Sequence, residues 1–394
     1  QISGRRRKVQ VMTAESKSPG KACLGGILGI MISLTYSGCF SVEEPVSVQD
    51  GAGRDWQSEV EKELVISGLR EGDPWSLAHL HLALPEESEL QNSRDQLHQL
   101  LSDIDSVIPI HGDHGERGEQ HPHLLLRTGV LLQGPEISEA LRNRTQQELS
   151  KTSYVKEWRA VNDYAWLLDA AARCGLKRQV LVLDGTLGDL VDESIRTLEQ
   201  GDAVISPILA KSPTLETRRP AGLSDPTVAG CWAFTCGGTH LLGALVECAL
   251  SGLILPEDRK RIDALLSKFE KRLRWDLSYR HLERDRAIRA GKSSRKADRN
   301  FGLAQIKILG HGLEVLSRAR RLYPEDSQVF SSSMNQMLQE LENLFLPGRY
   351  PGFDPVALLE QKVSIENPET WERAHGDLSH LIRGLRLAKD SSKY

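Results

Sequence analysis

The chain carries the heptapeptide Thr-His-Leu-Leu-Gly-Ala-Leu at residues 239–245, and two similar heptapeptides follow it. They are Gly-His-Gly-Leu-Glu-Val-Leu at residues 310–316 and Ser-His-Leu-Ile-Arg-Gly-Leu at residues 379–385. Their histidines lie 71 and 69 residues apart, so we interpret the heptapeptides as equivalent parts of an internal repeat. In each one, apolar residues recur at the three- and four-residue spacing that is typical of a helix.

A second sequence motif recurs along the chain with nearly the same period. The tripeptide Pro-Glu-Asp occurs at residues 256–258 and again at 324–326, which is 68 residues later. A proline followed by acidic residues suits the first turn of a helix, so both positions are predicted helix starts. Each unit would then be a helix, a turn, a second helix and a long connection. The alternative is a non-repeating helical domain in which the histidine matches arose by chance.

Helical periodicity covers most of the remaining chain, and alternating strand patterns are scarce, with residues 179–183 the best short candidate. We therefore predict an all-α fold over residues 56–394, in which repeated helical hairpins form an α/α toroid or a short solenoid. We prefer the toroid. Helices rich in small residues around Ala170, Ala244 and Val315 are expected inside, and charged helices over residues 258–274 and 325–345 outside.

The composition is that of a folded protein. Of 394 residues, 39% are hydrophobic and 26% are charged, which excludes a wholly disordered or collagen-like chain. Fifty basic and fifty-four acidic residues give a net charge of -4, so no overall electrostatic attraction to nucleic acid is expected.

The first 39 residues have the layout of an export signal, with Met12 as the expected true start. Lys17 and Lys21 form a basic segment, and residues 22–36 form an apolar run of about fifteen residues, shorter than the roughly 20 that span a bilayer. Residues 40–55 are rich in Ser, Gly, Glu and Asp, which indicates a flexible tether to the body that begins at residue 56.

The tripeptide Ser-Gly-Cys that ends this segment at Cys39 resembles the lipobox of bacterial lipoproteins, although Tyr36 stands where a leucine is usual. The resemblance implies that Cys39 is lipidated and becomes the mature N-terminus, which would anchor an exported protein to a membrane of the cell envelope or periplasm. Cleavage without lipidation and an uncleaved apolar anchor remain alternatives.

The strongest candidate site is the set of repeated histidines, His240, His311 and His380. At equivalent positions of a ring they would all approach its centre, where they could bind a metal ion or serve as acid–base groups in catalysis. Cys236 lies one helical turn before His240, so Cys236, His240 and His311 form a candidate zinc set, although no cofactor is required by any motif. The alternative, which we favour on the sequence alone, is that each histidine is a structural residue hydrogen-bonded to the neighbouring hairpin.

The pentapeptide Cys-Gly-Gly-Thr-His at residues 236–240 also resembles an element of the alanyl-tRNA synthetase editing domain, in which the Cys and the His hold zinc. The likeness covers five residues, and the partner element of that family, two histidines four positions apart, does not occur in the chain. We therefore retain only the local zinc chemistry that it implies.

Three further features carry weaker signals. The histidine- and acid-rich stretch 110–123 could bind a metal opportunistically, and the basic stretch 284–299, expected to be a loop, could contact anionic lipid, an envelope polymer or a partner protein. A solvated surface is the simpler interpretation of both. Four cysteines of the body, at positions 174, 231, 236 and 248, permit two disulfides, but buried thiols are favoured.

No nucleophile elbow, phosphate-binding loop, dinucleotide-binding turn or His-Glu-x-x-His motif is present. We therefore expect an exported binding or scaffolding module at the cell envelope, attached to the membrane by its N-terminal lipid or apolar segment. The alternative is an envelope enzyme, a hydrolase or lyase acting on saccharide, with its site in the toroid cavity. The contents of the ring centre distinguish the two.

Overall fold

Thirteen α-helices and one short β-hairpin make up the part of the chain that the structure describes. This computed structural model describes residues 55–102, 122–134, 137–152, 161–217, 235–326, 328–360 and 368–389. The predicted all-α class is confirmed. The predicted export signal, Cys39 and the tether up to residue 54 lie outside the described residues.

The helices in chain order are α1 (Trp56–Glu71), α2 (Pro74–Ala83), α3 (Gln91–Ser102), α4 (Pro122–Gln133), α5 (Glu139–Ser150), α6 (Val161–Arg173), α7 (Leu187–Leu209), α8 (Thr235–Leu250), α9 (Arg259–Arg289), α10 (Ser294–Arg320), α11 (Ser331–Phe345), α12 (Pro355–Glu360) and α13 (Pro368–Lys389). Two strands, β1 (Leu181–Val182) and β2 (Gly185–Thr186), pair antiparallel between α6 and α7. Of the predicted strand at residues 179–183, Leu181 and Val182 form a strand.

Capping side chains explain where several helices begin. The carboxylate of Asp55 accepts a hydrogen bond from the backbone N–H of Ser58 at the start of α1. Asp73 does the same for α2, which has Pro74 at its first position. Thr186 and its third neighbour Asp189 cap α7 reciprocally. These side chains satisfy backbone N–H groups that have no partner within the helix.

Six helices contact one another in sequence. α2 packs against α4, α4 against α6, α6 against α8, α8 against α10, α10 against α13, and α13 against α2. Other helices cover these contacts: α1 packs on α2 and α13, α3 on α2 and α4, α5 on α4 and α6, and α9 on α8 and α10. The three heptapeptides lie on α8, α10 and α13, which are neighbours in this order.

The six contacting helices are buried over most of their surface. Ala170, Ala244 and Val315, the residues expected inside, are all at most 3% exposed. The closest approach is between α10 and α13. A Cβ atom added to Gly310 would lie 2.7 Å from the backbone nitrogen of Leu381, and one added to Gly384 would lie 2.8 Å from the backbone oxygen of Gly310. Glycine at these two positions therefore allows the two backbones to meet.

The predicted helix start at residues 324–326 is wrong. The Pro-Glu-Asp tripeptide at 324–326 forms a turn, and α11 begins only at Ser331. The carboxylate of Asp326 accepts a hydrogen bond from the N–H of Gln328, and Phe330 adopts a left-handed backbone conformation with φ 64°, so the helix cannot start earlier. At 256–258 the same tripeptide forms a short 3₁₀ turn that leads into α9.

The basic stretch 284–299 is not a loop. α9 continues to Arg289 and α10 begins at Ser294. Arg284 pairs with Asp298 on the facing helix, with Nε 2.7 Å from Oδ1, so part of the positive charge is already neutralised. Within the described ranges, no helix combines the length and apolar character needed to cross a bilayer.

Candidate metal centre

Three imidazoles from three neighbouring helices meet at one point. His240 lies on α8, His311 on α10 and His380 on α13. Their ring centroids are 4.8 Å apart for His240 and His311, 4.9 Å for His240 and His380, and 4.1 Å for His311 and His380. Each ring offers one nitrogen such that the three nitrogens lie within 4.8 Å of one another. The structure therefore brings the three predicted histidines together.

Burial favours the neutral form of two of these rings, His240 and His380. His311 and His380 are 2% and 4% exposed, and His240 is half-buried. Burial, followed by the neighbouring His311, lowers the pKa of His380 to about 4. Burial, together with His311 and His380, also lowers the pKa of His240 well below its ordinary value. The neutral imidazole is the form that binds metal ions, so His240 and His380 are in a ligating form at neutral pH.

Carboxylates lie behind two of the rings. His380 donates a hydrogen bond from Nδ1 to Glu314 Oε2 at 2.7 Å, and His311 Nε2 lies 3.8 Å from Asp377 Oδ1. Because Nδ1 of His380 holds its proton for Glu314, its Nε2 carries the lone pair that can bind a metal. A carboxylate behind a ligating histidine fixes the tautomer and the ring orientation, and this is the usual arrangement around metal centres.

A buried network of charges adjoins the histidines. Arg127 donates from Nε to Asp169 Oδ2 at 2.6 Å and from Nη2 to Glu314 Oε1 at 2.8 Å. Arg318 also bonds both of these carboxylates, and Nε of Arg383 lies 3.1 Å from Glu314 Oε1. All five side chains are at most 8% exposed.

The arginines hold both acids in their charged form. Burial raises the pKa of Asp169 and of Glu314, but the neighbouring guanidinium groups outweigh burial, so both pKa values lie below the ordinary range. The negative charge of Glu314 is therefore permanent at neutral pH. It orients His380 through the hydrogen bond described above.

A small cavity joins two of the histidines to this network. Its walls include His240, His311, Arg127, Glu314 and Trp166. It has room for about one water molecule or one ion.

Two residues that the sequence analysis did not select complete the surroundings. His79, on α2, packs edge-on against His380 with ring centroids 5.4 Å apart, and its Nδ1 lies 2.9 Å from the backbone oxygen of Trp75. Trp166, on α6, packs edge-on against His240 at 5.2 Å. No repeat or motif marks either residue, because their role depends on the neighbours that the fold supplies.

Several predicted site residues are not part of this cluster. The side chain of Cys236 and the residue Cys231 lie outside the described residues, as does the stretch 110–121. His123 belongs to α4 and faces Glu148, with Nε2 3.6 Å from Oε2. Cys174 and Cys248 are buried free thiols, which agrees with the favoured interpretation of these two cysteines.

The geometry and charges of this cluster suit a borderline transition-metal ion. Imidazole nitrogen is a common ligand of Zn²⁺, and three histidines leave a fourth tetrahedral position open. Comparisons with known protein families, with curated proteins and with solved structures find no match to this chain. The chemistry of the site therefore has to be argued from its own residues.

Proposed function

We propose that this protein binds one divalent transition-metal ion, zinc being the first candidate, through His240, His311 and His380. The observation that carries the proposal is the meeting of three imidazoles, two buried and one half-buried, from three helices, with ligand nitrogens within 4.8 Å of one another. Nitrogens bound to one zinc ion at about 2.0–2.1 Å lie roughly 3.3–3.5 Å apart in a tetrahedral arrangement, so small side-chain movements would complete the site.

The competing hypothesis is a purely structural histidine cluster. Structural histidines of a repeat are expected to be well separated, with each one hydrogen-bonded to the backbone of the next hairpin. His375 has that arrangement, since its Nε2 lies 3.2 Å from the backbone oxygen of Ser76. His380 instead bonds a charged carboxylate and contacts the imidazoles of His79, His240 and His311, which supports a ligand role.

We further propose that the cyclic order of helix contacts is an α/α toroid with the metal ion at its centre. The order α2, α4, α6, α8, α10, α13 returns to α2, and the three histidines lie on consecutive members of it. Covering helices such as α1, α3, α5 and α9 would form the outer layer.

The body would act as a metal-dependent binding or scaffolding module that is exported and anchored at the cell envelope. The export signal and Cys39 support this location from sequence alone. A saccharide hydrolase or lyase, the alternative, needs a cavity that admits a sugar ring, whereas the cavity beside the histidines has room for about one water molecule. This size favours the binding role.

Zinc titration of metal-free protein by calorimetry tests the metal proposal. We expect one ion per chain in the wild type, and an affinity lowered more than about 100-fold in His240→Ala, His311→Ala and His380→Ala, since loss of a ligand exceeds the loss of an outer-shell partner. His281→Ala is the matched control, because His281 is half exposed and faces Glu340. Unchanged zinc affinity in the three variants, with unfolding free energy reduced by about 1–3 kcal/mol, would establish the structural hypothesis instead.

The location is tested independently of the metal. A reporter fused to residues 12–60 is expected to be exported, and Cys39→Ala is expected to release the full-length protein from membranes. A reporter that stays in the cytoplasm would contradict export and leave the metal proposal unaffected.

A further inference from the structure

We infer that a small monovalent anion, hydroxide or a halide, occupies the fourth position on the metal ion and is held there by Arg127. The inference rests on the proposed metal site and deepens it. The fourth ligand of the ion would be a small anion held inside the protein.

Arg127 has a donor that the fold leaves without an acceptor. Its Nε and Nη2 bond Asp169 and Glu314, whereas its Nη1 is buried and has no hydrogen-bond partner among the described residues. The whole side chain is 2% exposed. A buried unsatisfied donor costs about 1–3 kcal/mol, and more when it is charged, so a resident acceptor in the adjoining cavity would recover that free energy.

Arg127 and two of the three histidines line the same cavity. Its walls include Arg127, His240 and His311, whereas His380 is not one of them. An atom placed there would therefore be close to the Arg127 side chain and to two of the proposed metal ligands. A tetrahedral ion bound by three protein ligands takes its fourth ligand from such a space.

The charge of the site favours an anion. The most deeply buried part of the adjoining network contains three guanidinium groups and three carboxylates, namely Arg127, Arg318 and Arg383 with Asp169, Glu247 and Glu314, each with a side chain at most 8% exposed. Arg173, which is 18% exposed, also pairs with Asp169 and Glu247, so the positive groups of the network outnumber the negative ones. The negative charge of Asp377 beside His311 is itself offset by Lys307. A divalent cation bound by neutral imidazoles would add two uncompensated positive charges to this interior, and an anion would reduce that excess.

The size of the cavity and the hydrogen bonds that Glu314 already accepts limit which ligand can take the fourth position. Room for about one water-sized sphere admits hydroxide or a halide but not sulfate or phosphate. Glu314 itself is a poor fourth ligand because both of its oxygens are in use. Oε1 accepts from Arg127 and Arg318, and Oε2 accepts from His380.

The test uses the full chain loaded with Co²⁺, whose visible absorption reports the ligands of the ion, in chloride-free buffer. We expect one cobalt per chain and a saturable change of the spectrum on addition of azide, a narrow monovalent anion, with no change on addition of sulfate. A saturable change with chloride would identify a halide as the resident ligand. Its absence, alongside an azide affinity that falls as the pH rises, would identify hydroxide, because hydroxide competes with azide for the ion.

Arg127→Gln is expected to keep cobalt but to bind azide at least about tenfold more weakly, as for the loss of one hydrogen bond to a charged group. Arg321→Gln is the control, because Arg321 contacts Glu247 at the edge of the network and does not line the cavity. If Arg127→Gln fails to fold, Arg127→Lys, which keeps the positive charge but not the forked donors, takes its place in the comparison with the wild type.

The outcomes separate the two proposals. Cobalt bound without any response to azide or to chloride, which is a single atom, would overturn the anion inference and leave the metal site standing. Equal azide affinity in Arg127→Gln and the wild type would overturn the role of Arg127. No cobalt bound by the wild type would overturn both the inference and the proposed function.

Discussion

Glu314 connects the histidine cluster to the buried arginines. It accepts hydrogen bonds from His380, Arg127 and Arg318, and it lies 3.1 Å from Nε of Arg383. Its carboxylate thus neutralises guanidinium groups that would otherwise be uncompensated in the interior, and it orients one metal ligand. Both roles depend on its negative charge.

Glu314→Gln keeps the shape of the side chain and removes that charge. We expect the free energy of unfolding to fall by about 3–5 kcal/mol, because buried arginines lose their partner, and zinc affinity to fall about 10–100-fold. Urea denaturation and calorimetry measure the two effects. Glu340→Gln, which removes a half-exposed partner of His281, is the control and is expected to cost less than about 1 kcal/mol. Equal stability of the two variants would contradict the role given to Glu314.

Buried histidines make the metal-free protein sensitive to mild acid. Burial lowers the pKa of His375 and of His380 from 6.5 to about 4. Between these values the unfolded chain binds more protons than the folded chain, so stability is fully present above pH 6.5 and falls as the pH falls towards 4. Asp202 acts in the opposite direction, since burial raises its pKa to about 6.

We expect the unfolding free energy of metal-free protein to drop by about 2 kcal/mol per histidine between about pH 6.5 and pH 5, partly offset by Asp202. Urea denaturation at the two pH values measures the drop. His375→Gln should reduce the slope. Stability that is constant or rises over this interval would show that the histidines are not held neutral in the folded state.

At the scale of helices, the contact between α10 and α13 places His311 beside His380. A Cβ on Gly310 would meet the backbone of Leu381 at 2.7–2.9 Å, and one on Gly384 would meet Gly310 and Leu313 at 2.8–2.9 Å. Backbone atoms cannot rotate aside as a flexible side chain can. Either substitution must therefore move the helices apart.

Gly310→Ala and Gly384→Ala are each expected to destabilise the protein by about 1–3 kcal/mol and to weaken zinc binding, since two ligands separate. Gly243→Ala is the matched control on α8. Its added Cβ would lie 3.5 Å from Val315 and 3.7 Å from Arg318, so it is expected to be neutral or to stabilise by up to about 1 kcal/mol through helix propensity. Thermal unfolding compares the three, and zinc titration compares Gly310→Ala and Gly384→Ala with the wild type, because Gly243 lines the cavity beside the histidines. A Gly310→Ala variant as stable as Gly243→Ala would contradict the close packing.

Helices could be predicted wherever the local pattern decides the structure. The periodicity of residues 262–273 lies within α9, and the apolar heptapeptides lie within α8, α10 and α13. The start of α11 could not be predicted, because the Asp326 turn and the left-handed Phe330 outweigh the proline signal. At this position the helix propensity of the chain competes with the hydrogen bond of the Asp326 side chain, and the spacing of apolar residues does not reveal that hydrogen bond.

The histidines of the candidate site could be predicted because a repeat places equivalent residues at equivalent positions. Stepping back 71 residues from His240 also reaches Asp169, which belongs to the charge network. Arg127 and His79 could not be found in this way. Arg127 contacts residues 42 and 187 positions away, so its role depends on long-range packing that no local pattern encodes.

At the scale of the whole molecule, α13 joins the last part of the fold to the first. It packs against α10 and against α2. Its His375 lies 3.2 Å from the backbone oxygen of Ser76, and its Arg383 donates to the backbone oxygen of Leu82. It also supplies His380, so the site is incomplete without it.

Truncation after residue 367 is expected to abolish both cooperative unfolding and zinc binding, because it exposes the buried faces of α2 and α10 and removes a ligand. Truncation after residue 389 leaves α13 complete and serves as the control, with wild-type behaviour expected. Circular dichroism on heating and zinc titration provide the comparison. Cooperative unfolding that persists without α13 would show that the fold does not depend on this closure.

X-ray absorption spectroscopy of the zinc-loaded protein tests the central claim most directly, because it measures the ligand atoms around the ion. In halide-free buffer we predict three imidazole nitrogens at about 2.0–2.1 Å with one further light atom, and the loss of one imidazole in His311→Ala. A sulfur ligand at about 2.3 Å, which would point to Cys236, or fewer than three imidazoles in the wild type, would contradict the three-histidine site.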